Sequence, residues 1–248
     1  MTIKKELPII LALCISILFL SGCKKSASTD NSSGPTVTDI DGNVYHTVAI
    51  GTQTWMVENL KVTHYRNGDL IVDGSGLEKL LTDTIGIRYA YDNTQANLEV
   101  YGWLYNWYAG ADGRNIAPIG WHVPSDADYK TLVDFLGGNY LIYPNGDTTA
   151  GGALKEAGVA HWGNVNYPNV GATNTSGWTG LPGGLCEGGV YANLHTSGNW
   201  WTTTTMEAPN PLNFAYNMGL FVLTKNAKRS TWLKTSAYSI RCLSDQSK

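Results

Sequence analysis

The sequence predicts an α+β fold, in which short antiparallel strands and long ordered loops accompany two helices. Turn-forming residues recur at short intervals, in the stretches DGN, RNGD, DGSG, PNGD and LPGG. Between these turns, several stretches alternate apolar and polar residues, as half-buried strands do. Two other stretches repeat large residues at a spacing of three or four, which is typical of one face of a helix.

The N-terminus is predicted to be the signal peptide of a bacterial lipoprotein. Lys4 and Lys5 precede an apolar stretch from Leu7 to Leu20, which is shorter than the roughly 20 residues that span a membrane. The letters LSGC, which end at Cys23, match a lipobox. We therefore predict a signal peptide over 1–22 and lipidation of Cys23, whose acyl chains would anchor the protein in a membrane without spanning it. The alternative is an ordinary signal peptide that contains a cysteine.

A polar tether is predicted over residues 23–36. Its letters KKSASTDNSSGP include no large apolar residue, so the segment cannot bury a core. Residues 37–246 show no linker-like break and no repeat, which indicates one domain. A lipid, a tether and a domain in this order predict a cell-envelope protein. Lys24 is not the aspartate that retains some lipoproteins at the inner membrane, which favours the outer membrane or cell surface of a Gram-negative bacterium.

The charge balance argues against nucleic acid as a partner. The whole chain has 17 Lys and Arg and 20 Asp and Glu; removing the signal peptide takes away two lysines and one glutamate and leaves a net charge of −4. No basic tract occurs, whereas binding to phosphates requires clustered Lys and Arg.

Strands are predicted near both ends of the domain. In residues 44–50, Val44, His46, Val48 and Ile50 alternate with Tyr45, Thr47 and Ala49, and QTWMVENL after Gly51 is the expected hairpin partner. At the C-terminus, SAYSIRCLS should be a strand with Tyr238, Ile240 and Cys242 on one face.

Two helices are predicted between those strands. In the clearer one, Ser125 is the N-cap, Asp128 completes a near capping box and Gly137 ends the helix. The second candidate is YGWLYNWYAG, from Tyr101 to Gly110, whose aromatic residues recur four apart. Its odd positions also alternate, so the pattern alone leaves a strand possible.

The cysteines suggest one disulfide. Cys14 leaves with the signal peptide and Cys23 is assigned to lipid, which leaves Cys186 and Cys242 in an oxidising compartment. We predict that they form a bridge; the alternative is two buried free thiols.

A search for catalytic and metal motifs identifies no catalytic set, cofactor site or metal site. HExxH, CxxC, GxSxG and P-loop patterns do not occur, and no two of the five histidines are three or four residues apart. His122, in GWHVPS, is expected to hydrogen-bond a turn rather than act as a base. Asp39, Asp41 and Asn43, or Asp112 and Asn115, offer oxygens for calcium, but Asp and Asn also favour turns for local reasons.

Several motifs together resemble a known family. They occur in the order VTDIDGNVYHTVAIGTQTWMVENLKV, YGWLYNWYAG, IGWHVPSDADYKTL, GWTGLPGG, NWWTTT and YSIRCLSD, from about Val37 to Asp245. They closely resemble the Fibrobacter succinogenes major paralogous domain, a family of exported bacterial proteins and lipoproteins of unknown biochemical function.

A more distant resemblance implies a fold. HVPSDADY, LPGG, NWWTTT and SIRC look like stretches of the formylglycine-generating enzyme (sulfatase-modifying factor) and C-type lectin-like superfamily. This implies a compact lectin-like α+β domain, with YGWLYNWYAG as its first helix. The reactive cysteine pair of those enzymes and the calcium motifs of sugar-binding lectins do not occur here, so the resemblance implies neither oxidase activity nor calcium-dependent sugar binding.

The leading functional hypothesis is a non-catalytic binding module for a glycan or a surface protein. Its candidate ligand-binding residues are the tryptophans of the Gly- and Asn-rich second half, which are Trp162, Trp178, Trp200 and Trp201. The competing interpretation is that each of these tryptophans is a core residue that anchors a loop.

Two other hypotheses stay open at this point. A polysaccharide-active enzyme would use two carboxylates about 5–10 Å apart across a cleft, and the candidates are Glu58, Glu156, Glu187 and Glu207. A purely structural envelope protein would show neither a sizeable concave pocket nor an exposed aromatic cluster.

Overall fold

Strands form most of the regular structure. A computed structural model describes residues 34–76, 84–141, 149–163, 167–207, 210 and 212–246. The predicted signal peptide, Cys23 and most of the tether therefore lie outside the described residues. The strands, numbered in chain order, are β1 Thr36–Thr38, β2 Val44–Ile50, β3 Gln53–Met56, β4 Val72–Asp73, β5 Ile87–Tyr89, β6 Leu104–Asn106, β7 Trp121–His122, β8 Gly183–Glu187, β9 Val190–Leu194, β10 Ser197–Thr205, β11 Phe214–Phe221, β12 Ala227–Leu233, β13 Ala237–Tyr238 and β14 Leu243–Ser244.

These strands form two sheets. The five-stranded sheet has the order β1-β2-β3-β14-β7, and β2 and β3 form the predicted antiparallel hairpin. The nine-stranded sheet has the order β12-β11-β10-β8-β13-β6-β5-β4, with β9 paired to β8. The predicted C-terminal strand is two short strands, β13 and β14, which belong to different sheets. Tyr238, Ile240 and Cys242 of this segment all lie in one core cluster, as predicted.

The helices are few and short. They are α1 Gln95–Tyr101, α2 Trp107–Gly110, α3 Asp126–Phe135 and α4 Ala150–Leu154, with one 3-10 turn at Tyr91–Asn93. Helix α3 confirms the predicted N-terminus, because Ser125 and Asp128 form a reciprocal capping box. No helix in the described part of the chain is both long enough and apolar enough to cross a membrane.

The prediction of a two-helix, lectin-like α+β fold is wrong, because the domain is mostly β. The stretch YGWLYNWYAG is not a helix: it contains the end of α1, the strand β6 and the single turn α2. Gly102 ends α1 with a positive φ of 75°, and a Cβ there would lie 2.8 Å from the Leu60 carbonyl oxygen. Residues after this glycine pair with β5 and β13, so sheet formation overrides the helical spacing.

The aromatic residues of that stretch are mainly core. Tyr101, Trp103 and Tyr105 are buried. Asn106 hydrogen-bonds to the backbone: its Oδ1 accepts from the Ile87 and Ala109 amides, at 2.9 and 3.0 Å. The stretch is therefore a wall of the core.

A buried polar cluster lies at the centre of the domain. Asn59 Oδ1 accepts one hydrogen bond from Trp200 Nε1, at 2.8 Å, and another from Arg241 Nη2, at 2.9 Å. The Arg241 guanidinium stacks 3.8 Å over the Trp178 ring. Four of the stretches that carry the family resemblance thus contribute one residue each to the same cluster.

His122 gives the domain a pH-dependent contact. Its Nδ1 lies 2.7 Å from Asp245 Oδ1, and its Nε2 lies 3.7 Å from Asp128 Oδ2. Hydrogen bonding to Asp128, and secondarily to Asp245, raises the pKa of His122 above its usual value despite partial burial. Because the pKa of His122 is higher in the folded state, its protonation stabilises the fold. This stabilisation is complete below the unfolded-state pKa of 6.5. It is lost as the pH rises through the folded-state pKa.

We expect the stability difference between the wild type and His122→Asn to be larger at about pH 5.5 than at about pH 8.5. Urea unfolding followed by tryptophan fluorescence measures both values. Thr131→Ala is the control, because it removes an exposed side chain of α3 that does not titrate. A His122→Asn difference that is constant across this pH range would contradict the expectation.

Candidate functional site

The four tryptophans predicted to bind ligand are all in the core. Trp162, Trp178, Trp200 and Trp201 are each 0 % exposed. The indole N–H of Trp162 donates to the Gly180 carbonyl at 2.8 Å, and that of Trp201 donates to the Tyr105 carbonyl at 3.0 Å. The loop-anchoring interpretation therefore describes these residues, and the ligand-binding prediction for them is wrong.

The predicted disulfide is not formed. Cys186 and Cys242 are both free and buried, and they belong to different core clusters. Burial raises the pKa of both thiols, to about 11 for Cys186. They are therefore neutral core residues, which is the alternative that the sequence left open.

Two of the candidate carboxylates are paired with different histidines. Glu58 faces His46 at 2.7 Å, and Glu156 faces His161 at 2.8 Å. Glu187 is half-buried in β8, and Glu207 is exposed. Among the described residues, no group of three or more His, Cys, Asp or Glu side chains has a geometry suited to a metal ion.

The oxygen-rich turns considered for calcium are occupied by internal hydrogen bonds. Asp39 accepts from the Asp41 and Asn43 amides, both at 2.9 Å, and from the Tyr45 hydroxyl at 2.6 Å. Asp112 Oδ1 accepts from the backbone amide of Arg114 at 2.9 Å. These contacts are the local turn interactions that Asp and Asn favour.

A groove of about 360 Å³ lies instead on one face of the nine-stranded sheet. Cross-strand pairing defines this face, because directly opposed residues point to the same side. Asn217 pairs with Trp201 and with Ser230, whereas Gly219 pairs with Asn199. The opposite face of the same strands packs into the core. The groove is lined by Leu185, Asn193, Ser197, Asn199, Asn217, Phe221, Arg229, Ser230, Thr231, Trp232 and Tyr238.

The floor of this groove is polar. Ser197, Asn199 and Asn217 are 3–5 % exposed, and the Asn199 amide donates to Ser197 Oγ at 3.1 Å. Asn217 Oδ1 is buried and has no hydrogen-bond partner within the described structure. A buried acceptor without a donor costs about 1–3 kcal/mol. A ligand that donates a hydrogen bond to Asn217 Oδ1 would therefore remove this cost.

The absence of a side chain at Gly219 leaves room for the groove floor. A Cβ at this position would lie 2.9 Å from the Phe221 ring and 3.2 Å from Asn199 Oδ1. Both distances are shorter than ordinary van der Waals contact. A larger residue would therefore displace the carboxamide and the ring that border the groove.

Aromatic residues form the sides. Trp232 is 43 % exposed, and it is the one tryptophan among the large exposed hydrophobic residues of the described chain. Tyr238 lies against Trp201, with ring centroids 4.6 Å apart. Phe221 is half-buried, and the Lys228 ammonium lies 4.8 Å from its ring centroid.

Arg229 is the charged residue of the lining, and its charge is compensated. Its Nε and Nη2 donate to both carboxylate oxygens of Asp126, at 2.6–2.9 Å. Its guanidinium also stacks 4.0 Å over the Tyr216 ring. A doubly hydrogen-bonded arginine is held in one orientation. Arg229 pairs with Met218, so its side chain lies on the face opposite Asn217 and brings no free charge into the groove.

Sequence reasoning did not identify Asn199, Asn217 or Trp232. The one available pattern was the alternation of Lys228, Ser230 and Trp232 in β12, which places these side chains on one face. Nothing in that pattern distinguishes an open face from a covered one.

The fold and the groove define a class: a mostly β domain with a polar and aromatic groove on one sheet face. The chain belongs to the Fibrobacter succinogenes major domain family, whose model matches residues 48–244. No curated protein and no solved structure gives a significant match. The predicted family is therefore confirmed.

Proposed function

We propose that this protein is a lipid-anchored, non-catalytic binding module of the cell envelope and that its ligand is a glycan held in the sheet-face groove. The observation that carries the proposal is the combination of an unpartnered Asn217 acceptor with an exposed Trp232 in one concave site. Specific small-molecule sites typically combine apolar walls with a few placed polar groups.

The chemistry of the lining fits a sugar. Sugar hydroxyls both donate and accept, so they match the carboxamides of Asn199 and Asn217 and the hydroxyl of Ser197. The C–H faces of a pyranose are apolar and would pack on the ring of Trp232, which is 43 % exposed. A glycosidase would need paired carboxylates, whereas this lining offers amides, hydroxyls, aromatic rings and one ion-paired arginine.

The predicted location supports the same function. A lipid on Cys23, followed by a polar tether, would hold the domain outside the membrane, where polysaccharides of the envelope or of the surroundings are accessible. An outer-membrane or cell-surface position is part of this proposal.

We expect Trp232→Ala and Asn217→Ala to weaken glycan binding by about tenfold or more, because truncation of a side chain that anchors a ligand typically costs at least 1–2 kcal/mol. A glycan array with the chain from residue 24 onward identifies ligands, and isothermal titration calorimetry measures affinity. Phe135→Ala is the control, because Phe135 is 62 % exposed and lies outside the groove lining.

Two results would overturn the proposal. One is the absence of glycan binding above background by a folded protein. The other is binding that Trp232→Ala and Asn217→Ala leave unchanged. Capture of a surface protein by the same groove, with both variants impaired, would assign the site to a protein ligand instead.

A further inference from the structure

The groove crosses the strands of the sheet rather than following one of them. Its lining comes from β8 and β9 at one end, from β10 and β11 in the middle, and from β12 at the other end, with Tyr238 of β13 added beside β8. Neighbouring strands lie about 4.8 Å apart, so the four spacings from β9 to β12 correspond to about 19 Å. This length exceeds a single sugar and accommodates several.

Both ends of the groove lie at sheet edges. In the described strands, β12 pairs with β11 alone and β9 pairs with β8 alone. Trp232 lies on the β12 side, and Asn193 lies at the end of β9. A polymeric ligand that follows the groove can therefore continue past either sheet edge into solvent, and the groove does not need to enclose either end of that ligand.

We propose that the groove binds an internal segment of an extended polysaccharide, which lies across the strands and contacts the protein over several consecutive sugars. This inference rests on the proposed glycan-binding function and adds the form of the ligand. The buried acceptor of Asn217 holds the central sugar, and Trp232 and Asn193 contact sugars on either side. Free monosaccharides and chain ends do not fill such a site.

The test compares ligand length in linear series of known chemistry. The probes are β-1,4-linked mono-, di-, tetra- and hexasaccharides of glucose, xylose, mannose and N-acetylglucosamine, measured by calorimetry with the chain from residue 24 onward. In at least one series, affinity should rise by about tenfold or more from the disaccharide to the hexasaccharide as outer contacts form. Borohydride reduction of the hexasaccharide end should leave its affinity unchanged.

Two end variants test the position of the ligand. Trp232→Ala removes the ring at the β12 edge. Asn193→Gly removes a side chain at the other end without backbone strain, because Asn193 has a φ of 65° that glycine adopts readily. Each variant should lower the affinity for the hexasaccharide by about tenfold and the affinity for the disaccharide much less. Circular dichroism should confirm that both variants are folded.

The outcomes separate this inference from the function on which it rests. A monosaccharide that binds as tightly as the hexasaccharide overturns it, as does loss of binding on end reduction. Failure of all four series overturns it too, even if the glycan array finds a branched ligand, in which case glycan binding itself stands. Failure of the array and of all four series overturns both.

Discussion

Replacement of Arg241 by methionine is expected to lower the free energy of unfolding by about 4 kcal/mol. Arg241 is 0 % exposed, and it donates to three neutral oxygens: Asn59 Oδ1 and the backbone carbonyls of Trp178 and Thr179. Burial lowers its pKa to about 9, so the group remains charged at neutral pH. Methionine occupies a similar length but donates nothing, which leaves buried acceptors without donors. Chemical denaturation followed by tryptophan fluorescence measures the loss.

Two further variants serve as comparisons for Arg241→Met. Arg114→Met should change stability little, because Arg114 is exposed and its ion pairs with Asp69 and Asp112 are screened by water. Arg241→Lys keeps the charge but not the planar array of donors, and it should lie between the wild type and Arg241→Met. Equal stability of Arg241→Met and Arg114→Met would show that the buried cluster contributes nothing to the fold.

Replacement of Lys155 by methionine is expected to lower the free energy of unfolding by about 2 kcal/mol. Lys155 is 0 % exposed, and its ammonium donates to the carbonyls of Val170, Phe221 and Thr224 at 2.8, 3.1 and 2.8 Å. These bonds connect the loop near residue 170 to the end of β11. The expected loss is smaller than for Arg241, because removing a desolvated charge offsets part of the lost hydrogen bonding.

The Lys155 effect should also depend on pH. Burial lowers the pKa of Lys155 to about 8, from 10.5 in the unfolded chain. Between these values the unfolded state binds a proton that the folded state has released, so rising pH stabilises the folded wild type. The difference between the wild type and Lys155→Met should therefore widen from about pH 7.5 to about pH 10. The exposed Lys130→Met variant is the control, and a constant Lys155→Met difference would contradict the assigned pKa.

The buried Arg241 cluster explains why several sequence motifs are structural. Asn59, Trp178, Trp200 and Arg241 come from four separate stretches that resemble the family, and they meet in one hydrogen-bonded and stacked group. In a buried network of this kind, the loss of one residue leaves the polar groups of the others without hydrogen-bond partners. The motifs thus identify the residues that build the domain, whereas the groove residues lie mainly outside them.

Local sequence rules predicted some elements correctly. The hairpin of β2 and β3 followed from alternation, and the start of α3 followed from the Ser125 and Asp128 capping box. Both depend on residues close together in the chain, which is why the sequence sufficed. YGWLYNWYAG was predicted incorrectly because its spacing suits a helix as well as a strand, and pairing with distant β5 and β13 decided between them.

By itself, the sequence determined the family and the elements whose causes are local: the capped helix and the hairpin. Only the tertiary structure decided which aromatic residues are buried and which are exposed. Trp200 and Trp201 are adjacent and both 0 % exposed, because partners cover both faces of β10 at that point, whereas Trp232 on the edge strand β12 is 43 % exposed. The physical reason is that burial depends on what packs against a sheet face, and residues far apart in the chain supply that cover.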